Sequence, residues 1–193
     1  MKCLVYSPET ADIETSSEDY ARRFSGSVGH WFLKVQEEAT LRMLAPHSGA
    51  TVLDVGGGHG QIADSLVRHG YRLTVFGSAD VCRMRIQHLL DDNRCSFDSG
   101  DILQLPYPNS SFDIVVSYRL LSHVSRWPQF LSELARVARL GVIIDYPATR
   151  SINFIAPQLF RIKKRFEGNT RTFNAFSESQ LLEDFGSNGF KRG

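Results

Sequence analysis

Apolar and polar positions along the chain change period several times, and the changes predict the elements. Residues 7–19 are rich in Ser, Thr, Glu and Asp and carry few apolar side chains, so they read as a loop or mobile arm. A short helix is expected around Glu18 to Phe24, broken at Ser25-Gly26-Ser27. A longer helix then places Val28, Trp31, Phe32, Val35 and Ala39 on one inward face, with Glu37 and Glu38 outside. Pro46 to Gly49 closes it. From Ala50 onward, short apolar runs alternate with helical stripes. Strands are expected at Thr51 to Val55, Tyr71 to Phe76, Cys95 to Asp98, Phe112 to Ser117 and Gly141 to Tyr146. Between them lie helices at Gln61 to His69 (Ile62, Leu66 and Val67 on one face) and Asp80 to Leu90 (Val81, Met84 and Leu89 inward). A third has Pro128 in its first turn and Phe130 or Leu131, Leu134 and Val137 as its stripe. This alternation predicts an α/β fold with a mostly parallel sheet covered on both faces.

The rhythm stops at residues 147–176, which look like an insertion. Ser177-Glu178-Ser179-Gln180 is a capping box for a helix with Leu181, Leu182 and Phe185 inside, ending at Gly189. Phe190 to Gly193 reads as the lead-in to another strand. Without one, the strand ending at Tyr146 would be an uncovered apolar edge, so the chain looks cut short. One domain is therefore expected, with a helical cap over 1–45, a core over 50–146, the insertion over 147–176 and a last helix and truncated end over 177–193.

Composition narrows the classes. The 193 residues have a formal charge of +1, with 42% hydrophobic and 22% charged residues, which excludes a disordered chain. Near-neutral charge removes the electrostatic argument for nucleic-acid binding. No apolar run approaches the roughly 20 residues that span a bilayer, and the amino end is too short for a signal segment. Cys3, Cys82 and Cys95 have no CxxC spacing and suit a reducing compartment, so a soluble, cytoplasmic domain is expected. His30, His47, His59, His69 and His88 show no metal-ligand spacing, and no metal is indicated.

The sharpest local signal is Asp54-Val55-Gly56-Gly57-Gly58-His59-Gly60, between a strand and a helix. Glycines there let the backbone turn tightly and approach a ligand in the crevice beyond the strand's carboxyl end. The spacing is G-x-G-x-G, with Gln61 where a dinucleotide fingerprint needs its third glycine, and no P-loop follows. An NAD-dependent oxidoreductase is therefore disfavoured.

Together with Ser99-Gly100-Asp101-Ile102-Leu103-Gln104-Leu105-Pro106-Tyr107 and Phe112-Asp113-Ile114-Val115-Val116-Ser117, this loop resembles the class I S-adenosylmethionine-dependent methyltransferases. The nearest branch is the type 11 group related to quinone-biosynthesis enzymes. The resemblance covers roughly residues 40–146 and implies a Rossmann-like sheet lacking its last strands here. It implies that Gly56 and Gly58 hold the methionine part of S-adenosyl-L-methionine, with Asp54 ordering the loop and reaching its amino group. Asp101 would accept from the adenine amino group, with Ile102 on the ring. Ser117 would lie near the sulfonium, and Tyr118 and Arg119 would help form that wall. S-adenosyl-L-homocysteine would be the product.

One departure stands out. The family ends its second strand with an acid for the ribose hydroxyls, and here Gly77 occupies that position. A lost charged hydrogen bond costs about 1.5–3 kcal/mol, about ten- to a hundredfold in affinity. Ser78 or Asp80 would be substitutes, though Asp80 equally suits the cap of the next helix. His123 matches a histidine common in the family after the fourth strand and is a candidate base, against a packing role. Tyr146 and Asp145 are weaker candidates at the same edge.

The insertion sets Ile152, Phe154, Ile155, Leu159, Phe160, Ile162 and Phe166 beside Arg161, Lys163, Lys164 and Arg165. It reads as an apolar cap over the acceptor, a basic helix touching a membrane surface, or a solvated face. The expected function is methyl transfer to a small hydrophobic or aromatic acceptor at oxygen or carbon. The alternatives are a non-catalytic protein that keeps the cofactor, or methylation of RNA or protein. No Asn-Pro-Pro-Tyr follows the fourth strand to suggest amino-group methylation.

Overall fold

The computed structural model describes residues 8–149, 174–187 and 189. Its five strands are β1 (Thr51–Val55), β2 (Arg72–Gly77), β3 (Ser96–Ser99), β4 (Phe112–Ser117) and β5 (Ala138–Ile144). They form one sheet in the order β3-β2-β1-β4-β5, with every pairing parallel. The helices are α1 (Ala11–Thr15), α2 (Glu18–Arg22), α3 (Ser27–Leu44), α4 (Ala63–Arg68), α5 (Gln87–Asp91), α6 (Trp127–Val137) and α7 (Glu178–Ser187).

The two-residue period of a strand sorts the apolar runs into two cores. Leu53, Val55, Phe76 and Val115 pack with Phe130, Leu131 and Leu134 of α6 and Leu181 of α7. Val52, Leu73, Val75, Ile114 and Val116 pack with Leu44 of α3, Leu66 of α4 and Leu89 of α5. The central strands are apolar on both faces because helices cover both. The strand order changes direction between β1 and β4, which opens the crevice above the carboxyl end of β1.

Three elements differ from the pattern-based expectation. In α3 the stripe Val28, Trp31, Phe32 and Val35 is exposed, whereas Thr40 and Leu44 are buried. The helix is turned so that Glu37 accepts from Ser65 Oγ of α4 (2.5 Å) and Thr40 Oγ1 meets the Tyr118 hydroxyl (2.5 Å). Polar partners on the neighbouring elements select the inward face. Residues 80–86 form a run of 3-10 turns, not an α-helix. The tighter period leaves Cys82 and Ile86 buried and sends Val81 and Met84 to solvent, while Leu89, in α5, is buried as expected. The acidic arm holds α1, in which Ala11, Asp12 and Thr15 are buried.

At the other end, Ser177 Oγ accepts from Gln180 N (3.2 Å), as the capping box requires. Leu181 is buried, but Leu182 faces solvent. The insertion's flanks are joined: Ala148 and Phe176 form a parallel bridge, with Thr149 N donating to Phe176 O (3.0 Å). The apolar and basic residues named between Ile152 and Phe166, Cys3 and the tail from Phe190 lie outside the described residues. Among the described residues no helix is long and apolar enough to cross a membrane.

Because Thr40 and Tyr118 hold α3 against the end of β4, Tyr118→Phe should cost about 1 kcal/mol. That is roughly 2–4 °C in Tm for a chain of this size. Thermal denaturation checks it, and an unchanged Tm would remove the contact's role in seating the helix.

Candidate cofactor site

β1 delivers its chain into the glycine turn through Asp54 and Val55. Gly56 (φ +78°) and Gly60 (φ +69°) take left-handed conformations on either side of a 3-10 turn, Gly57–His59. The turn is packed on three sides. A Cβ on Gly56 would lie 2.6 Å from Leu120 Cδ2, one on Gly57 would collide with the Asp54 carboxylate, and one on Gly58 with Cys82 O and Ser16 Oγ. Gly56 N donates to Phe76 O (2.8 Å), locking the turn to β2.

Beneath it, Asp54 is fully buried, and both carboxylate oxygens lack a hydrogen-bond partner. Burial pushes its carboxyl up to about 7. His59 is also buried. Its Nδ1 accepts from Gln61 N (3.2 Å), and Nε2 has no partner. Burial, with Arg119 and Arg85 nearby, drives it down to about 3, so the ring is neutral. A buried polar group without a partner costs about 1–3 kcal/mol. Two of them beside one glycine turn mark a place built for a polar ligand.

At the end of β2, the space a side chain on Gly77 would fill belongs to Cys82, whose Cβ is 2.7 Å from that position. Ser78 N and Oγ both donate to the Asp12 carboxylate of α1 (2.6 and 2.5 Å). Asp80 accepts from Ser99 Oγ (2.7 Å), which ties it to the end of β3. Asp101 Oδ1 accepts from Leu103 N (2.9 Å), so it caps its own turn. It also lines an open pocket of about 660 Å³ with Ser78, Gly100, Gln104, Glu9 and Gln129. Ile102 is fully buried among Phe76, Leu103 and Leu105, so it belongs to the core, not to a ring-stacking surface.

The ends of β4 and β5 form the other wall. Ser117 Oγ donates to Val55 O (2.8 Å) and clamps β4 to β1. Tyr118, expected at the wall, turns instead to Thr40 and the core under α3, because that buried hydroxyl needs a partner. Arg119 takes a left-handed backbone (φ +61°), held by its N–H donating to Asp145 Oδ1 (2.6 Å). Its guanidinium stacks over Phe24 (4.0 Å) and donates to Gln36 Oε1 (2.9 Å). Asp145 is pushed up by burial, against which Arg119 and then His123 act. His123 lies in the 3-10 turn Leu121–His123, near enough for its charge to act on the Asp145 carboxyl. Tyr146 lies apart, lining a second pocket of about 450 Å³ with Ala148, Phe176, Ser177 and Leu182.

Both the sequence and the fold have known relatives. Residues 53–144 match the family model described as a methyltransferase domain, type 11. Over 159 residues the chain is 30% identical to a Mycolicibacterium smegmatis protein named "Probable S-adenosylmethionine-dependent methyltransferase", covering 81% of this chain and 59% of the relative. It is 30% identical over 148 residues to a demethylmenaquinone methyltransferase of Tropheryma whipplei (71% and 55%). Magnesium protoporphyrin IX methyltransferase of Synechocystis PCC 6803, solved with bound S-adenosylhomocysteine, shares the fold. The TM-score is 0.71 at 19% identity, covering 90% of this chain and 84% of that one. The core of this chain carries a methyltransferase domain, and the chain is similar to S-adenosylmethionine-dependent methyltransferases. It spans a little over half the length of these two sequence relatives.

The residues fit the family's cofactor at the methionine end. A partnerless buried carboxyl beside a glycine turn suits an ammonium group, which would bring Asp54 back to its charged form. The Asp101 pocket offers an adenine-sized space. β2 ends in Gly77 where an acid would stand for the ribose, and the neighbouring Ser78 is held by Asp12. Neither Asp12 nor Cys82 carries a sequence signal for this place, since both belong to segments without matching apolar period.

Asp54 also makes stability depend on pH. The unfolded chain releases its proton near the ordinary carboxyl value of 3.8 and the folded chain near 7, so stability falls as pH rises between those values. Asp54→Asn removes this loss, while its partnerless amide offsets part of the gain. The variant should melt roughly 2–8 °C higher than the parent at pH 8, with a smaller gain at pH 5. A gain independent of pH would mean that Asp54 ionises normally.

Proposed function

We propose that the chain transfers a methyl group from S-adenosylmethionine to a small apolar, aromatic acceptor at oxygen or carbon. The observation that carries this reading is the buried, partnerless Asp54 carboxyl under the Gly56–Gly60 turn, within a segment that matches the methyltransferase domain. When bound, the cofactor supplies an electrophilic methyl group on a positively charged sulfur.

The chain's own groups do the rest. Asp54, Gly56 and Gly58 hold the methionine part, and Asp101 and Gly100 border the adenine. Leu120 and Leu121, both buried, exclude water from the edge of β4. His123 takes the proton that an acceptor O–H or activated C–H must lose, and Asp145 steadies the resulting imidazolium. Orientation and desolvation supply most of the acceleration in such a displacement. Tyr146, Phe176 and Leu182 offer an apolar wall where an aromatic ring would rest. The relatives named demethylmenaquinone methyltransferase favour a quinone-type ring and methylation at carbon. In this reading residues 8–45, with 147–149 and 174–176, border the acceptor, which is a small molecule, not a nucleic acid.

A second reading, cofactor binding without turnover, draws on Gly77 and on the contact between Asp12 and Ser78. Calorimetry with S-adenosylmethionine and S-adenosylhomocysteine, followed by methyl-label transfer to naphthoquinol and phenolic acceptors, separates the two. Binding with label transfer is expected. Binding with no transfer to any acceptor class would favour the second reading. His123→Ala should lower turnover about a hundredfold with S-adenosylhomocysteine affinity unchanged, and parent-like turnover would end its role as base.

A further inference from the structure

The crevice above β1 is partly filled by the chain itself. Residues 8–16 cross its mouth from one wall to the other. Glu9 Oε1 accepts from Ser125 N and Arg126 N (3.0 and 3.1 Å) at the start of α6. Ala11 is buried in the same cluster as Val55, Ile102 and Leu120. Asp12 is fully buried, with both oxygens on Ser78 (2.5 and 2.6 Å). Ser16 Oγ sits directly over Gly58. The open pocket beside Asp101 has Pro8 and Glu9 as one of its walls. The adenine side of the crevice is thus open, and the ribose and methionine side is covered by α1.

The two halves of this contact differ. At the end of β2 both oxygens of the arm's carboxylate are paired, by two charge-assisted hydrogen bonds from Ser78 and by the Cys82 thiol. Over the glycine turn the arm satisfies nothing, for the Asp54 oxygens and His59 Nε2 remain without partners beneath it. A permanent wall would pair those groups. An occupant that leaves has no need to.

Resting on the cofactor reading above, we propose that residues 8–16 are an intramolecular plug, and that Asp12 sets cofactor affinity by holding Ser78 until the cofactor displaces it. The competing account makes Asp12 a replacement for the missing acid at Gly77. A carboxylate offers about four lone-pair positions. Ser78 N, Ser78 Oγ and the Cys82 thiol (3.5 Å) already use three. Both hydroxyls of a ribose cannot be held with the one that remains.

The test uses the full chain, its Asp12→Ala variant and Glu9→Ala/Asp12→Ala, which frees both ends of the plug. Each is titrated with S-adenosylhomocysteine by calorimetry, and hydrogen exchange of residues 11–16 in the parent is compared with and without that ligand. A plug predicts tighter binding in Asp12→Ala by about tenfold or more, a larger gain in the double variant, and faster exchange of residues 11–16 in the parent when the ligand is added. Tenfold weaker binding, or exchange that slows with ligand, would make the arm part of the binding site and overturn the proposal. So would unchanged affinity. The exchange comparison needs no variant, so it decides the matter even where a substitution disturbs folding. If no form binds although all melt cooperatively, the cofactor reading itself has failed and the plug falls with it. Binding by the variants alone would support both.

Discussion

The contact between the Asp54 carboxyl and the backbone of Gly57 governs the whole upper edge of the sheet. β1 is the central strand, so whatever stands at its end is enclosed by β2 on one side and β4 on the other. A side chain at position 57 would occupy the carboxyl's own volume. The turn is therefore glycine because an acid lies under it, and the acid is buried because the turn closes over it. Burial raises its proton affinity and leaves its oxygens without partners. The protein thus keeps a destabilising feature in its core, as sites built for a charged ligand do.

Much of the fold was legible because parallel strands buried on both faces must be apolar throughout. Val52 to Val55, Leu73 to Phe76 and Ile114 to Val116 announce themselves, and their packing agrees. The α3 stripe failed for a physical reason. Periodicity says that a helix has an apolar face but not which neighbours will compete for it, and here Ser65 and Tyr118 attract Glu37 and Thr40 instead. Residues 80–86 failed because the inward residue, Cys82, is chosen by two glycines, Gly58 and Gly77, that leave it room. Local pattern carries no trace of such a choice.

The candidate site divides in the same way. Asp54, Gly56 and Gly58 stood out because their chemistry and spacing are local to one turn. Ile102 and Tyr118 were placed at the crevice by resemblance alone, and the side chains found apolar and hydroxyl partners inside the protein instead. Asp12 lies 66 residues from Ser78, in a segment whose polarity reads as solvated. Its burial depends wholly on a partner supplied by β2, and only tertiary structure brings the two together.

Gly77 and the arm are then one structural fact. Cys82 occupies the room an acid on β2 would need, and the same side chain packs against Gly58. A carboxylate does stand nearby, on α1, but it is held on Ser78, and in the plug reading α1 detaches. A ligand that must displace it binds with its intrinsic affinity reduced by the fraction of molecules in which the crevice is open. The fixed acid of the family adds to affinity at all times, whereas a carboxylate on a detachable arm competes with the ligand for the donors of Ser78. Replacing the one by the other converts a constant contribution into an equilibrium. That equilibrium responds to anything that binds or restrains residues 8–16, including an acceptor that reaches the edge of β4, where Leu120 shares a core cluster with Ala11.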